Sequence, residues 1–409
     1  MRPGPSAPLG RRALLGASLA APLAAPVLAR AQAAKPVRIG VLTDETGPYA
    51  DSGGPGSVFA AQEAVRAFGA TVLGTPIEVI HADTQNKPDV ASAIARGWYD
   101  DGVDLITDLP VTPVALAVQQ VAREKRRSVI ITAAAVTEFT SKLCAPTSIH
   151  WADDTHALAA GTARRVVERG GKAWFFITVD FAFGAAVQRE ASEAIAPAGG
   201  KVVGAVRYPL GNTDYASQIL AAQGAVLGGA DVVGLASVGD DQVNLVKQAH
   251  EFGLVRGGRP ALVAFLVYVT DIHALGLPVA QGLTFASGFY WDQGEAARAF
   301  AARFMAARRA MPTRAQAAVH ASTLHFLRAM AQAGTRDPLA VNAAMRAMPA
   351  DYLGHPATIR ADGRALYDLQ LYRVKAPGES ARPWDYYEPL ATIPAADAFA
   401  PMAPGCAAG

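Results

Sequence analysis

Short apolar segments that alternate with polar loops and helical segments restrict the possible folds of this chain more than any other feature. Residues 37–42 form a nearly continuous apolar run, which is typical of a strand buried on both faces. Residues 43–56 are polar and glycine-rich, and Ser57 opens a stretch with helical spacing. Further strand-like segments, each followed by a loop or helix, lie at 77–80, 103–106, 129–131, 173–178, 202–206, 231–235 and 261–267. The alternation predicts an α/β fold of parallel sheets with helices on both faces.

The alternation pauses around residues 150–154 and then starts again, which predicts two lobes and not one large sheet. Helical segments follow the second set of strands at 295–310, 315–333 and 338–348. Residues 357–359 and 369–374 are strand-like, and Asp362-Gly363 between them is a turn signal for a hairpin. We therefore expect the chain to cross between the lobes more than once.

The loop at residues 43–56 is the first candidate for a small-molecule site. In an open α/β sheet the ligand lies beyond the carboxyl ends of the strands. The free N–H groups at the start of the following helix also attract a carboxylate or another anion. The loop is therefore predicted to form one wall of a ligand site.

The composition and the motifs argue against nucleic-acid binding and against catalysis. A formal net charge of +2 leaves no concentrated basic surface for phosphate contacts, while 51% hydrophobic and 18% charged residues indicate a globular chain. The sequence contains neither a G-x-S-x-G elbow nor a complete phosphate-binding loop. His320 and His325 are five residues apart on a predicted helix and are interpreted as ordinary helix residues, not metal ligands. No enzyme activity, cofactor or metal site is predicted.

The N-terminal segment, residues 1–33, has the composition of an export signal. Arg11-Arg12 precede an Ala/Leu-rich run, and small residues around Ala31-Gln32-Ala33 suit a cleavage site. The paired arginines resemble a twin-arginine signal, and an ordinary secretory signal is the alternative. The run is too short to span a bilayer comfortably, which disfavours a membrane anchor. The mature protein is expected in the periplasm.

Cys144 and Cys406 cannot form a structural zinc site by themselves, because neither has a C-x-x-C partner. In an oxidising compartment, one disulfide that ties the C-terminal tail to the body is the simplest prediction. Two unpaired thiols are the alternative.

The order and spacing of several motifs resemble the branched-chain-amino-acid-type (Leu/Ile/Val-binding) receptors of ABC importers. The motifs are Ile39-Gly40-Val41, Thr46-Gly47-Pro48-Tyr49, Asp83-Thr84-Gln85, Ile131-Thr132-Ala133-Ala134, Asp180 to Gly184, Phe252-Gly253-Leu254 and Gln281-Gly282-Leu283. The resemblance implies a type I periplasmic-binding fold: two doubly wound parallel-sheet lobes joined by three crossover segments, near 151–154, 287–290 and 354–357. Lobe 1 would comprise 35–151 and 288–353, and lobe 2 would comprise 152–287 and 354–409. A monomer that delivers its ligand to an inner-membrane permease is implied.

The same resemblance implies a set of ligand-binding residues. Thr112 matches a hydroxyl position that holds the ligand carboxylate, and Phe181 or Phe183 matches an aromatic side chain that covers the ligand. The complete predicted set is Tyr49, Asp51, Ser52, Thr112, Ala134, Thr137, Phe181, Phe183, Asp240 and Tyr268.

One departure from the family pattern bears on the ligand. Amino-acid binders of this family hold the ligand ammonium with a carboxylate after a late second-lobe strand, but residues 265–268 here contain no acid before Asp271. A buried ammonium without a partner costs several kcal/mol. The sequence therefore favours a carboxylate ligand without an amino group, such as an aromatic acid or a 2-oxo acid. An amino acid whose ammonium pairs with Asp240 or Asp271 is the alternative within the fold.

Two other functions stay open at this point. A periplasmic sensor subunit would use the same fold to signal through a separate membrane partner. An exported hydrolase is disfavoured by the missing nucleophile elbow.

Overall fold

Two large β-sheets organise the part of the chain that the computed structural model describes, namely Met1 and residues 35–255, 257–404 and 406. The predicted export signal lies outside the described residues apart from Met1. The strands are β1 (Val37–Thr43), β2 (Thr71–Val72), β3 (Thr75–Asp83), β4 (Leu105–Asp108), β5 (Ser128–Ile131), β6 (Ser148–His150), β7 (Ala173–Val179), β8 (Lys201–Tyr208), β9 (Val232–Ala236), β10 (Ala261–Ala264), β11 (Thr284–Ser287), β12 (Ala350–Tyr352), β13 (His355–Ile359), β14 (Ala365–Leu366), β15 (Leu369–Val374) and β16 (Tyr387–Ile393).

Helices follow most of the strands, as the alternation predicts. The α-helices are α1 (Gly54–Phe68), α2 (Pro88–Asp100), α3 (Thr112–Lys125), α4 (Thr162–Glu168), α5 (Ala182–Ile195), α6 (Ala216–Leu227), α7 (Gly239–Glu251), α8 (Val269–Leu275), α9 (Leu277–Ala280), α10 (Glu295–Arg308), α11 (Arg314–Ala333), α12 (Pro338–Ala347) and α13 (Ala395–Ala398). A π-helical turn, Ala157–Gly161, leads directly into α4. Among the described residues, none of the helices combines the length and hydropathy needed to cross a bilayer.

The first sheet has the strand order β2-β3-β1-β4-β5-β6. β1 pairs in parallel with β3 on one side and with β4 on the other, and only the short β2 is antiparallel to its neighbour. The apolar residues of β1 are fully buried, because a central parallel strand is covered on both faces. This sheet and the helices packed against it are called the first lobe below.

The second sheet has the order β16-β15-β11-β10-β9-β7-β8. Strands β7 to β11 are parallel, whereas β15 pairs antiparallel with β11, and β16 pairs antiparallel with β15. The sheet is therefore parallel with an antiparallel edge, a common arrangement in large α/β sheets. This sheet and its helices are called the second lobe. The predicted α/β class with two parallel-sheet lobes is confirmed.

The chain passes between the lobes after β6, after β11 and after β14. Helices α10 and α11 return to the first lobe and pack against α1. The turn predicted at Asp362-Gly363 is present, but it joins β13 to β14, and the predicted partner strand instead enters the second sheet as β15. The lobe boundaries inferred from the sequence stay predictions.

Asp153 lies where these connections meet. Its Oδ2 accepts a hydrogen bond from Gly288 N–H at 2.9 Å, and its Oδ1 accepts one from the Tyr367 hydroxyl at 2.9 Å. Arg314 Nε lies 3.4 Å from Asp153 Oδ2. A Cβ atom at residue 288 would meet Asp153 Oδ1 and the Tyr367 ring, so the close approach requires glycine. One buried carboxylate therefore links all three connecting segments.

A second buried group strengthens the same junction. Arg364 Nη1 donates to His150 Nδ1 at 2.8 Å and lies 3.2 Å from Asp154 Oδ2, and Arg364 Nη2 donates to the Ala152 carbonyl. Asp154 Oδ1 also accepts a hydrogen bond from Ala157 N–H at 2.8 Å. Charge-assisted hydrogen bonds thus tie the first connection to the turn between β13 and β14.

The predicted disulfide is confirmed: Cys144 and Cys406 are bonded, with their Cα atoms 6.0 Å apart. Cys144 lies between β5 and β6 of the first lobe, and Cys406 follows the last segment of the second lobe. The bond closes a loop across a sequence separation of 262 residues. Closing such a long loop removes much conformational entropy from the unfolded state, which stabilises the folded protein.

Reducing this disulfide is expected to lower the free energy of unfolding by about 2–4 kcal/mol. The measurement is urea denaturation of the wild type with and without reductant, beside the double variant Cys144→Ser with Cys406→Ser. The double variant should match the reduced wild type and should not respond to reductant. Equal stability of the oxidised and reduced proteins would contradict the expectation.

Candidate functional site

Asp44 fixes the backbone of the loop that follows β1. This fully buried residue accepts hydrogen bonds from Gly47 N–H at 2.8 Å and from Tyr49 N–H at 2.9 Å. The Asn86 side-chain amide donates to the same carboxylate at 2.7 Å. The Ser52 hydroxyl in turn donates to the Tyr49 carbonyl at 3.1 Å. The loop therefore holds Tyr49 and Ser52 in one defined arrangement at the carboxyl end of β1.

The anion beside the start of α1 is the protein's own Asp108. A Cβ at Gly53 would lie 3.0 Å from Asp108 Oδ2, and the Thr132 hydroxyl lies 3.4 Å from Asp108 Oδ1. Burial raises the pKa of Asp108 to about 6, although hydrogen bonds from Thr43, Ser57 and Thr132 oppose the increase. The loop between β1 and α1 thus packs against the buried carboxyl group of Asp108.

Three further predicted residues follow β4 and β5 of the first lobe. Thr112 is the first residue of α3, and Thr137 begins the short 3₁₀ helix Thr137–Thr140; both are half-buried. Ala134 is buried, its N–H donates to the Leu109 carbonyl at 3.2 Å, and its carbonyl accepts a hydrogen bond from His150 Nε2. Ala134 therefore has only a methyl group to offer a ligand.

Phe181 and Phe183 have different surroundings in the second lobe. Phe181 precedes α5 directly, with 38% of its surface exposed, whereas Phe183 is 7% exposed and packs in the hydrophobic core. A core side chain is held by its neighbours. Of the two candidates, Phe181 is therefore better placed to cover a ligand.

Tyr49 lies close to carboxylates of the second lobe. The pKa of its phenol is raised, first by burial and then by the negative charges of Asp44, Asp241 and Asp240. Asp240 and Asp241 occupy the first turn of α7, where Asp240 is exposed and Asp241 is buried. Asp241 Oδ2 accepts a hydrogen bond from Gly211 N–H at 3.0 Å. The negative charge of Asp240 in the second lobe therefore acts on Tyr49 in the first lobe.

Tyr268 and Asp271 belong to the same region. At the start of α8, the Tyr268 backbone N–H donates to Asp271 Oδ2 at 2.8 Å. The pKa of Asp271 is raised to about 7, mainly by burial and to a smaller extent by the charges of Asp240 and Asp51, against the effects of this hydrogen bond and a nearby arginine. Burial likewise raises the pKa of the Tyr268 phenol, with smaller contributions from Asp271 and Tyr49.

The structure thus groups Tyr49, Asp51, Asp240 and Tyr268 of the predicted set, with Asp271 beside them; we call these five residues the interlobe cluster. Among the described residues, we find no hydrogen bond, ion pair or ring contact that joins Thr112, Phe181 or Phe183 to this cluster. Within the same described part of the chain, no group of three or more His, Cys, Asp or Glu side chains is arranged to hold a metal ion. The cluster is acidic and aromatic, which suits a ligand with a cationic group.

The first turn of α11 also belongs to the site, and the sequence interpretation missed it. Thr313 and Gln316 form a capping box, a pattern that the spacing Thr-x-x-Gln signals. Arg314 is buried in that turn. A cation near a helix N-terminus opposes the helix dipole, so an arginine there is itself a signal of a nearby negative or aromatic partner.

The comparisons agree with this architecture. Residues 36–380 match the family described as periplasmic binding protein. The chain is 26% identical over 182 residues to Leu/Ile/Val-binding protein homolog 6 of Brucella abortus (strain 2308), a match that covers 44% of this chain and 46% of the relative. The chain therefore spans about half the length of the curated relatives that it matches.

Solved structures match over most of the chain. A periplasmic binding protein from Burkholderia mallei is 42% identical with a TM-score of 0.83, covering 89% of this chain and 96% of the other. A branched chain amino acid ABC transporter periplasmic ligand-binding protein from Burkholderia xenovorans LB400 is 34% identical with a TM-score of 0.84, covering 90% and 100%. A solute binding protein of an ABC transporter from R. palustris, in complex with benzoate, is 18% identical with a TM-score of 0.76, covering 88% and 97%; at this identity it shows the fold alone.

The buried Asp108 makes stability depend on pH. Its pKa is about 6 in the folded protein and about 3.9 when unfolded, so the folded state loses about 3 kcal/mol as pH rises through this interval. Asp108→Asn removes the buried charge and is expected to unfold at higher urea concentration than the wild type at pH 8, with little difference at pH 4. Asp89→Asn, at an exposed position of α2, is the control. A larger loss of stability at pH 8 than at pH 4 would refute this account of Asp108.

Proposed function

The chain belongs to the periplasmic binding protein family, and from this premise we propose that it is the exported substrate-binding protein of an ABC transporter. It captures a small carboxylate-bearing ligand between its two lobes and delivers it to a permease in the inner membrane. It works in the periplasm as a monomer.

The observation that carries this proposal is the interlobe cluster. Tyr49 and Asp51 follow the first strand of the first lobe, whereas Asp240, Tyr268 and Asp271 follow strands of the second lobe. Their charges contribute to one another's pKa shifts, which supports placing them in one region. Side chains that converge from two lobes allow a ligand to favour lobe closure, because the full set of contacts exists only when the lobes are together.

The carboxylates of this cluster favour an amino acid as the ligand. The sequence favoured an acid without an amino group, because no carboxylate precedes Asp271 in that loop. In the folded chain, however, the negative charges of Asp51 and Asp240 contribute to the raised pKa of Asp271. An ammonium group beside these carboxylates gains attraction, whereas a purely anionic ligand is repelled. The name of the 34% identical relative from Burkholderia xenovorans points in the same direction.

An aromatic acid or a 2-oxo acid is the second candidate. Tyr49 and Tyr268 are the aromatic members of the cluster, and the exposed Phe181 directly precedes a second-lobe helix. Aromatic side chains of this kind suit a flat ring. This candidate requires that Asp271 be neutral when the ligand binds.

Capture without chemical conversion fits the contacts of the site. Among the described residues, no serine, threonine or cysteine side chain is hydrogen-bonded to a histidine ring, which is the contact that a nucleophile and its base need. The proposed role is transport, and a sensor function would require a separate signalling partner.

Calorimetry with matched ligands tests the ligand class. We expect the protein to bind an amino acid from a panel that includes L-leucine. We expect the 2-oxo acid with the same side chain to bind at least about 100-fold more weakly, because it leaves the carboxylates without an ammonium partner. Benzoate serves as the aromatic comparison. Tight binding of benzoate or of a 2-oxo acid, with no binding of any amino acid, would overturn the assignment.

The pH dependence of binding separates the same two candidates. The pKa of Asp271 is about 7, so its carboxylate is mostly protonated at pH 6 and mostly ionised at pH 8. If the ammonium needs the ionised form, amino-acid affinity rises about tenfold from pH 6 to pH 8. Affinity for a purely anionic ligand falls over the same interval.

Asp271→Asn is the control for this measurement. Its side-chain oxygen can still accept the hydrogen bond from Tyr268 N–H, so the start of α8 is retained. The variant should bind the amino acid more weakly at pH 8 and with no pH dependence between 6 and 8. An unchanged pH profile in the variant would show that Asp271 is not the titrating group.

A further inference from the structure

The first turn of α11 holds the backbone of the first-lobe ligand loop. The Thr313 hydroxyl donates to the Ser52 carbonyl at 2.6 Å. The Gln316 side-chain amide donates to the carbonyls of Asp51 at 3.1 Å and Gly53 at 3.0 Å. Three successive carbonyl groups of the loop are therefore fixed by one helical turn of the same lobe.

The side chain of Arg314, in the same turn, contacts the second lobe and the junction between the lobes. Its Nη1 donates to the Val267 carbonyl at 3.4 Å, and its guanidinium carbon lies 4.7 Å from the centroid of the Tyr268 ring. Its Nε pairs with Asp153 Oδ2 at 3.4 Å. Val267 and Tyr268 follow β10 of the second lobe, and Asp153 lies on the first connection. Arg314 thus contacts the far wall of the site and the junction between the lobes.

Helix stability does not account for an arginine at this position. Its positive charge faces the positive end of the helix dipole, and its side chain is only 6% exposed, so burial of the charge is costly. The contacts that offset this cost come from the Asp153 carboxylate and from the Tyr268 ring. Each of these partners lies outside the helix and outside the first-lobe sheet.

We propose that Arg314 is a positioning residue for ligand capture. It fixes Tyr268, on the second-lobe wall, relative to the first-lobe loop that carries Tyr49 and Asp51. Arg314 acts through Tyr268 and does not itself contact the ligand. The inference rests on the proposed function, since it assigns a role in holding the ligand between the lobes.

The proposal predicts which rate constant changes. Without the arginine, both walls keep their own folds, so encounter with the ligand is little affected. The wall that carries Tyr268 is then less firmly held, and a bound ligand escapes sooner. We expect the dissociation rate to rise about tenfold while the association rate changes less than about threefold.

A double-mutant cycle on the full mature chain tests the proposal, with L-leucine as the probe in stopped-flow measurements. The variants are Arg314→Lys, Tyr268→Leu and both together. Because Arg314 acts through Tyr268, the double variant should dissociate no faster than the faster single variant. Losses that multiply in the double variant would overturn the proposal.

Two further variants serve as a control and as an alternative substitution. Arg303→Lys alters an arginine of α10 that pairs with Glu63 at 2.7 Å, and it should keep the wild-type dissociation rate. Arg314→Gln retains an N–H donor without the charge, and it repeats the cycle if the lysine variant does not fold. Failure of both Arg314 variants to fold would assign the residue to stability alone and would also overturn the proposal.

A measurement without ligand separates this inference from the proposed function. Small-angle scattering should give a larger radius of gyration for Arg314→Lys and Tyr268→Leu than for the wild type and Arg303→Lys, because the lobes are held less firmly. Identical scattering curves would overturn the inference whatever the protein binds. The larger radius together with no binding of any panel ligand by the wild type would refute the proposed function alone.

Discussion

The pairing of Asp153 with Arg314 is the interaction on which the rest of the structure depends. The carboxylate is 1% exposed and also accepts hydrogen bonds from Gly288 and Tyr367, so it brings together three segments that are far apart in sequence. Loss of one partner would leave a buried charge unpaired, which typically costs about 3–5 kcal/mol. Electrostatic contacts at the junction therefore hold the three connecting segments together between the two sheets.

Local patterns in the sequence predict the sheets well, because a buried parallel strand needs a continuous apolar run whatever its neighbours are. The run at residues 37–42 became β1 in the middle of its sheet. For the segment at 369–374, the observed pairing differs from the predicted one. Its alternating pattern and the nearby Asp362-Gly363 suggested a local hairpin, but it pairs with β11, more than 80 residues earlier. Nothing in a short segment specifies a partner so far away in the sequence.

The candidate site, like the fold, could be predicted from the sequence only in part. Tyr49, Asp240 and Tyr268 were proposed together with the resemblance to the receptor family, and each follows a strand, as expected for residues at the edge of the sheet. Their role in binding stays a prediction. Phe183 differs from Phe181 by two positions, and only the packing of α5 against the sheet decides which one is buried. Arg314 is the first residue of a long helix and follows no strand, so it is not among the positions expected at the sheet edge. The signal available in the sequence was its position at the start of a helix, where a positive charge opposes the helix dipole.

The packing of α11 against α1 has a consequence for the order in which the chain is made. All six strands of the first sheet are complete by residue 150, yet α1, with Val58, Ala61 and Val65 on its buried face, is covered by a helix that begins at Arg314. During synthesis, about half of the chain must follow before that apolar face is protected. Until then, apolar surface of the nascent first lobe is exposed to solvent, which favours aggregation.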